Sequence, residues 1–227
     1  MTDSPQLLRI FEIYSSIQGE STLAGTPCTL VRLAGCPLRC HYCDTPAALS
    51  ARSGQQQTVA EICEQVRQHN QPLVLVTGGE PLSQPACIPL LKGLLAVTSS
   101  LQLETSGSID IAPIPIGVRR IVDIKTPGSG EVEHNLSGNL QQLRRGDELK
   151  FVITSREDYL WSVAYIKQHH LTALDIPLLI SPAYNHAAEG AALAIQKVAE
   201  WIVNDHLPLR LQPQLHKWIW GAEASGV

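Results

Sequence analysis

The feature that most constrains this chain is the loop Cys36-Pro-Leu-Arg-Cys40-His-Tyr-Cys43-Asp-Thr45, which directly follows the apolar run Thr29-Leu-Val-Arg-Leu33. C-x3-C-x2-C spacing lets one short loop turn three sulfurs toward a single point. Three thiolates so placed suit a soft metal centre, either zinc or an iron–sulfur cluster. A structural zinc ion wants four protein ligands in a closed tetrahedron. His41 lies between two of the cysteines and is expected to point away from the site their spacing defines. No second C-x2-C pair exists, and Cys28, Cys63 and Cys87 are scattered. Three ligands without a fourth point to a 4Fe-4S cluster with one iron left open. A zinc site or unrelated cysteines are the alternatives.

The chain has 227 residues, 44% of them hydrophobic. That is enough for one substantial core, so a single domain over 1–227 is expected, with no linker and no internal repeat. The net charge is −4 and there is no long basic run, which gives no support for nucleic-acid or membrane binding. Met1-Thr-Asp-Ser-Pro lacks the pattern of a signal peptide, and no apolar run is long enough to span a bilayer. Six cysteines, three of them clustered, do not make a secreted disulfide framework. A reducing cytoplasm is the expected compartment.

Strand and helix signals alternate along the chain. The first half of Ile10–Ile17 reads as a short edge strand, Cys28–Leu33 as a strand and Ala47–Gln57 as irregular. Thr58-Val-Ala-Glu61 is a capping box opening a helix that buries Val59, Ile62, Cys63 and Val66. Leu73–Val76 is a strand buried on both faces. A second helix runs from Pro85 to Val97 on Ile88, Leu91, Leu94 and Leu95, with Cys87 inert. Further strands follow at Leu101–Leu103, Arg120–Ile124, Glu148–Thr154, Pro177–Ser181 and Leu209–Gln214. Helices are expected from Ser155 to His169 and from Glu189 to Asp205. This alternation predicts parallel β/α units with helices outside. Six or so units fall short of an eight-fold barrel of ~250 residues. The expected fold is therefore α/β, a partial TIM-like β/α barrel. Its chemistry belongs at the carboxyl ends of the strands, where the cysteine loop, Thr77-Gly-Gly-Glu80, Glu104-Thr-Ser-Gly107, Lys125-Thr-Pro-Gly and Ser181-Pro-Ala-Tyr all fall.

Two of these features have plain readings. Thr77-Gly-Gly-Glu-Pro can be a simple strand-to-helix turn. Arg32 can be a solvated face residue rather than a buried anion clamp. Their placement beside the cysteine loop reverses the first reading. Together the two segments resemble the cluster loop and the glycine-glycine-glutamate motif of the radical S-adenosylmethionine enzymes. In that superfamily the open iron is chelated by S-adenosylmethionine, and the reduced cluster cleaves it to a 5′-deoxyadenosyl radical.

Further segments narrow the resemblance. Glu12-Ile-Tyr-Ser-Ser-Ile-Gln-Gly-Glu20, Gly25-Thr-Pro27, Val31-Arg-Leu-Ala-Gly-Cys36, Cys43-Asp-Thr45, Asp123-Ile-Lys-Thr-Pro-Gly-Ser-Gly, Asp147-Glu-Leu-Lys-Phe-Val-Ile and Gln214-Leu-His-Lys217 closely resemble the 7-carboxy-7-deazaguanine synthases, through nearly the whole chain. The resemblance implies conversion of 6-carboxy-5,6,7,8-tetrahydropterin to 7-carboxy-7-deazaguanine with loss of ammonia, a step of 7-deazapurine and queuosine biosynthesis. It assigns the radical-generating cluster to Cys36, Cys40 and Cys43. S-adenosylmethionine falls to Tyr42, Cys43, Asp44, Gly79, Asp123, Ile124 and Lys125, and the pterin to Ile17, Gln18, Gly19, Arg32 and Thr77. A Mg²⁺ ion falls to Thr45. Gln18 would pair the pterin edge, and Arg32 would fork onto the substrate carboxylate. An electron donor such as flavodoxin and a homodimer are also implied.

The chain departs from the family pattern at two places. Ser21 stands where glycine is usual, and Asp123-Ile-Lys125 replaces a Ser-Pro-Lys segment. The competing readings are a glycyl-radical activase, which would need neither Gln18–Glu20 nor Arg32, and a non-enzymatic zinc-binding module. His169 and His170 fit a helix end, Arg144 and Arg145 a solvated surface. Trp161, Trp201, Trp218 and Trp220 are read as packing or interface residues, with Leu215–Trp220 as a subunit contact.

Overall fold

The computed structural model describes residues 6–184, 193–221, 224 and 226. Glu189 and Ala192, expected in the fourth helix, lie outside the described residues, as does the N-terminal pentapeptide. The strands are β1 (Leu7–Ile17), β2 (Pro27–Leu33), β3 (Gln55–Thr58), β4 (Leu73–Gly78), β5 (Leu101–Thr105), β6 (Val118–Lys125), β7 (Glu148–Ile153), β8 (Leu178–Pro182) and β9 (Leu209–Leu211). The α-helices are α1 (Val59–His69), α2 (Cys87–Leu95), α3 (Arg156–Gln168), α4 (Ile195–Asp205) and α5 (Leu215–Trp220). Among the described residues no helix is long and apolar enough to cross a membrane.

One nine-stranded sheet runs in the order β3-β1-β2-β4-β5-β6-β7-β8-β9. From β2 onward neighbours pair in parallel, and the linear order leaves the barrel open, as expected for a partial barrel. The two strands outside that pattern differ from the sequence reading. β1 is a full strand of 11 residues lying antiparallel to β2, not a short edge. Its outer edge is covered by β3, which falls at the end of the segment read as irregular. Gln-Gln-Gln-Thr has no strand signal of its own; the free backbone edge of β1 supplies the pairing.

Local chemistry sets the helix starts. In α1 the Thr58 hydroxyl accepts from the Glu61 amide, and the Glu61 carboxylate accepts from the Thr58 amide. Ser155 caps α3 by accepting from the Asp158 amide. The main core lies between the helices and the sheet's outer face, with Val31, Val76, Leu103, Val122, Phe151 and Ile180 as strand members. Cys63 is buried in this core, as read from periodicity, and Cys87, read as inert, is buried there too.

Two of the parallel crossovers carry no α-helix. Residues 106–117, between β5 and β6, and residues 126–147, between β6 and β7, contain only turns and short 3-10 segments. A buried charge pair braces this side in place of a helix. Arg120 donates to the Asp147 carboxylate and to the carbonyls of Ile111 and Gln142. Arg144, read as solvated, is also a brace, because it donates to the carbonyls of Pro115 (2.7 Å) and Val118 (3.1 Å).

Candidate active site

Parallel strands send alternate residues inward, and here the inward row is polar. Gln102 and Glu104 come from β5, Asp123 and Lys125 from β6, Glu148 and Lys150 from β7. All are buried except Glu104, which is half-buried. One corner of the interior is apolar, where Cys28, Leu30, Leu73 and Leu75 pack with Tyr14 and Leu23. Above this interior, at the carboxyl ends of the strands, lies a cavity of about 1030 Å³. Its lining brings together Cys36, Cys40 and Cys43 with Arg32, Thr77 and Lys150.

The three cysteines are free thiols, each half-buried. Backbone bonds fix their loop: Cys36 N–H donates to Leu49 O, His41 N–H to Ser129 O and Cys43 N–H to Cys40 O. The exposed His41 ring packs on Gly130, where an added Cβ would lie 2.7 Å from it. Among the described residues, Glu20, Asp44 and His216 are the trio of His, Cys, Asp or Glu whose ligand atoms all lie within 4.8 Å of one another. The cysteine sulfurs do not meet that spacing. A single zinc ion with Zn–S bonds of about 2.3 Å would draw them to ~3.8 Å apart. The wider spread suits a cluster, whose three ligated irons lie at separate corners. Burial pushes all three thiols up, Cys40 to about 11, so loading a cluster must release their protons.

The Gly78-Gly79 pair holds this loop close. A Cβ on Gly78 would sit 2.2 Å from Leu33 O, and one on Gly79 2.2 Å from Gly35 O and 2.8 Å from Cys36 Cβ. The glycines thus let the end of β4 pass directly beneath the cysteine loop. Glu80 is fully buried, and its carboxylate accepts from Thr105 Oγ1 (2.9 Å), Ser106 N–H (2.6 Å) and Leu82 N–H (2.9 Å), tying the ends of β4 and β5 together.

In the expected cofactor set Tyr42 Oη is buried with no hydrogen-bond partner, and Asp123 Oδ1 has only the Lys150 ammonium at 3.4 Å. A polar cofactor would satisfy the Tyr42 hydroxyl. Lys125 pairs with Asp123 at 2.6 Å. Ile124 faces the other way, into the main core, so only its backbone is available to a ligand.

The substrate set is less uniform. Arg32 pairs with Glu12 (2.8 Å) and reaches Tyr14 Oη (3.4 Å) and Thr45 Oγ1 (3.5 Å). It is a half-buried, pre-oriented cation and not a solvated one. Thr77 donates to Glu104 at 3.4 Å. Gln18 lines the cavity, but its side chain is already used. It donates to Gln102 (2.6 Å) and accepts from Glu20 N–H (3.1 Å). Ile17 and Gly19 line the same wall, and the His216 ring lies against Gly19. Thr45 donates to Asp44 Oδ1 at 3.2 Å.

Sequence reasoning missed Glu20, Glu104, Lys150, Gln214, His216 and Lys217 as site residues. Lys150 pairs with Glu20 (2.7 Å), with Glu104 and with Asp123 (3.4 Å). Burial alone would raise Glu20 and Asp123, but their ammonium neighbours outweigh it and hold both below the usual carboxylate range. Burial raises Glu104 to about 7, with Glu20 and Asp123 adding to the effect. The Glu20–Asp44–His216 trio lies among cations, with Lys150 on Glu20 and Lys217 on Asp44 at 3.7 Å. Its evident role is to anchor α5.

A loop of three cysteines on the carboxyl rim of a partial barrel, with a glycine pair beneath it, defines a class: the radical S-adenosylmethionine enzymes. The family profile of the Radical SAM superfamily matches residues 30–180. The 7-carboxy-7-deazaguanine synthase of Chlorobaculum tepidum is 41% identical, covering 100% of this chain and 99% of the relative. That of Koribacter versatilis is 39% identical, covering 97% and 100%. The crystal structure of QueE from Escherichia coli superposes with a TM-score of 0.73 at 22% identity, covering 92% of this chain and 95% of that one, a likeness of fold. Within the radical S-adenosylmethionine superfamily, the chain belongs to the 7-carboxy-7-deazaguanine synthase family.

Proposed function

We propose that the chain converts 6-carboxy-5,6,7,8-tetrahydropterin to 7-carboxy-7-deazaguanine, with release of ammonia, in 7-deazapurine and queuosine biosynthesis. The observation that carries this reading is the charged barrel interior opening onto the three-cysteine loop within one cavity. A glycyl-radical activase must admit a protein chain, and a zinc module needs no such interior.

Cys36, Cys40 and Cys43 would hold the 4Fe-4S cluster, which when bound supplies the electron that cleaves S-adenosylmethionine. Tyr42, Asp44, Gly79, Asp123 and Lys125, with the backbone of Ile124, would seat that cofactor. Arg32 would turn its guanidinium onto the substrate carboxylate, already aimed by Glu12 and Tyr14. Thr77 and the backbone of Ile17–Gly19 would set the plane of the ring, with Gln18 bracing that segment from behind. Such fixed positioning makes an intramolecular encounter of what would be a bimolecular one. Thr45 would give one oxygen to a Mg²⁺ ion that keeps several waters. An electron donor such as flavodoxin, a homodimer using the exposed Trp218, Ile219 and Trp220, a single domain and a cytoplasmic location complete the reading.

Anaerobic reconstitution followed by incubation with the carboxytetrahydropterin, S-adenosylmethionine and a reductant tests it. The product mass should appear. A brown, cofactor-cleaving protein that leaves the pterin unchanged would reject the substrate. Mg²⁺ should stimulate turnover, and Thr45→Ala should blunt the response while iron content stays constant. Equal turnover in EDTA would return Thr45 to a loop-capping role.

A further inference from the structure

One segment of the family likeness has no part in the reading above: Asp147-Glu-Leu-Lys150-Phe-Val-Ile, which runs through β7. Asp147 is taken by Arg120, and Glu148 accepts from Thr22 N–H at 2.9 Å, so both brace the fold. Lys150 is placed differently. Its side chain is 5% exposed, lies in the barrel interior and borders the cavity. An ammonium so buried is costly unless it is paired. Lys150 meets three carboxylates from three separate elements: Glu20, in the loop after β1, at 2.7 Å, Glu104 on β5, and Asp123 on β6 at 3.4 Å. An ammonium carries three N–H groups, so three carboxylates match its capacity. The register of β6 and β7 sets Asp123 directly opposite Lys150, which builds that contact into the sheet.

The three carboxylates belong to two different walls of the cavity. Glu20 adjoins Gly19, and Glu104 accepts from Thr77 Oγ1 at 3.4 Å, so both stand on the pterin side. Asp123 stands on the cofactor side, with its other oxygen paired to Lys125 at 2.6 Å. One ammonium thus spans both walls. Its contacts are unequal, and the one to Asp123 Oδ1 is the longest. A cofactor group that donates to Asp123 Oδ1 competes with Lys150 there. The ammonium then settles onto Glu20 and Glu104. That fixes the pterin wall before the pterin arrives and lowers the cost of ordering it on binding. Coupling of this kind between two sites is reciprocal.

We propose that Lys150 is a positioning residue through which filling the cofactor site tightens the pterin site, and the reverse. The proposal rests on the substrate and cofactor reading above. Lys150 touches neither ligand in this scheme; it acts through Glu20, Glu104 and Asp123.

The test is calorimetry on the reconstituted, oxidised protein without reductant, so that nothing turns over. 7-Carboxy-7-deazaguanine is titrated with and without saturating S-adenosylmethionine, and S-adenosylmethionine with and without saturating product. In the parent each ligand should tighten the other by the same factor, at least about fivefold. Lys150→Met keeps the length of the side chain and removes its charge. Lys150→Met combined with Glu104→Gln restores the charge balance and carries the test where the single variant does not fold. In either variant the factor should fall to near one at iron content equal to the parent. Glu104→Gln alone leaves Lys150 between Glu20 and Asp123 and should keep most of the coupling. A merely structural Lys150 would weaken each ligand separately and leave the factor unchanged, and that result would overturn the proposal. So would a parent in which the two ligands bind independently, or loss of the coupling in Glu104→Gln alone. A parent that binds S-adenosylmethionine but no product would instead reject the pterin reading, and the proposal with it.

Discussion

Glu104 shows how the barrel interior decides the state of a single residue. Three carboxylates, Glu20, Glu104 and Asp123, face two ammoniums, Lys125 and Lys150. Three carboxylates against two ammoniums leave one negative charge uncompensated, which favours a proton on one carboxylate. Burial singles out Glu104, raised to about 7, while Glu20 and Asp123 are held low. A raised acid binds its proton more tightly folded than unfolded. Its contribution to stability is therefore fully present below the ordinary carboxylate range and declines as pH rises from there through about 7. Tm measured from pH 5 to 8 should fall across that window, and Glu104→Gln should remove part of the slope. Identical slopes would place the proton elsewhere. Arg32→Lys keeps the charge but loses the fork, so pterin affinity should drop by about 1–3 kcal/mol in calorimetry. Unchanged affinity would leave Arg32 with its partners Glu12, Tyr14 and Thr45 alone. Cys36→Ala, Cys40→Ala or Cys43→Ala should abolish cofactor cleavage, whereas Cys63→Ala, on the core face of α1, should not. Iron at about four per chain in Cys40→Ala would remove that cysteine from the ligand set.

The turn between β1 and β2 combines a departure from family pattern with its compensation. Ser21 has φ of 65°, a left-handed conformation that glycine adopts freely and other residues do not. Its hydroxyl accepts from Gln102 Nε2 (3.2 Å) and from Leu23 N–H (3.1 Å), bonds that glycine could not make. Ser21→Ala keeps the backbone strain and leaves the buried Gln102 amide unsatisfied. It should cost about 1–3 kcal/mol in chemical denaturation, and a neutral result would mean that Gln102 finds another acceptor. Elements with local signals were legible in the sequence: the Thr58–Glu61 capping box, the Ser155 cap and the apolar run of β4 all stand where expected. β3 was not, because its pairing comes from β1 and not from its own residues. The polar interior was written at period two, in Gln102/Glu104, Asp123/Lys125 and Glu148/Lys150. On a single strand, however, that pattern is indistinguishable from a solvated face. Only curvature of the whole sheet turns it inward and makes a site. Glu20 and His216 were missed for a related reason, since their meeting depends on chain ends almost 200 residues apart.

That meeting closes the molecule. β9 ends one side of the open sheet, and the chain then crosses back to the loop that follows β1. Leu215 N–H donates to Gly19 O at 2.9 Å. Gln214 donates to Glu20 (3.1 Å) and to Asp44 (3.3 Å), and Lys217 approaches Asp44 at 3.7 Å. The His216 ring covers Gly19, where a Cβ would lie 1.9 Å from Nδ1, so α5 can sit here only because that position is glycine. The segment lines the cavity without joining the main core, so it contributes to the site far more than to the fold. Its carboxylate partners also flank the cysteine loop and Lys150, which makes α5 the element that fixes one against the other. Ending the chain after Pro213 should therefore leave iron content and the thermal transition close to those of the parent. The affinity for 7-carboxy-7-deazaguanine, measured by calorimetry, should fall at least about tenfold, or ~1.4 kcal/mol. Lys217→Ala, which removes the pairing with Asp44 and the contact over the Tyr184 ring but leaves the helix, should lose only a fraction of that. A truncated protein that binds product as tightly as the parent would show that α5 merely covers the rim. One that loses its cluster would show that Asp44 depends on α5 to keep the cysteine loop in place.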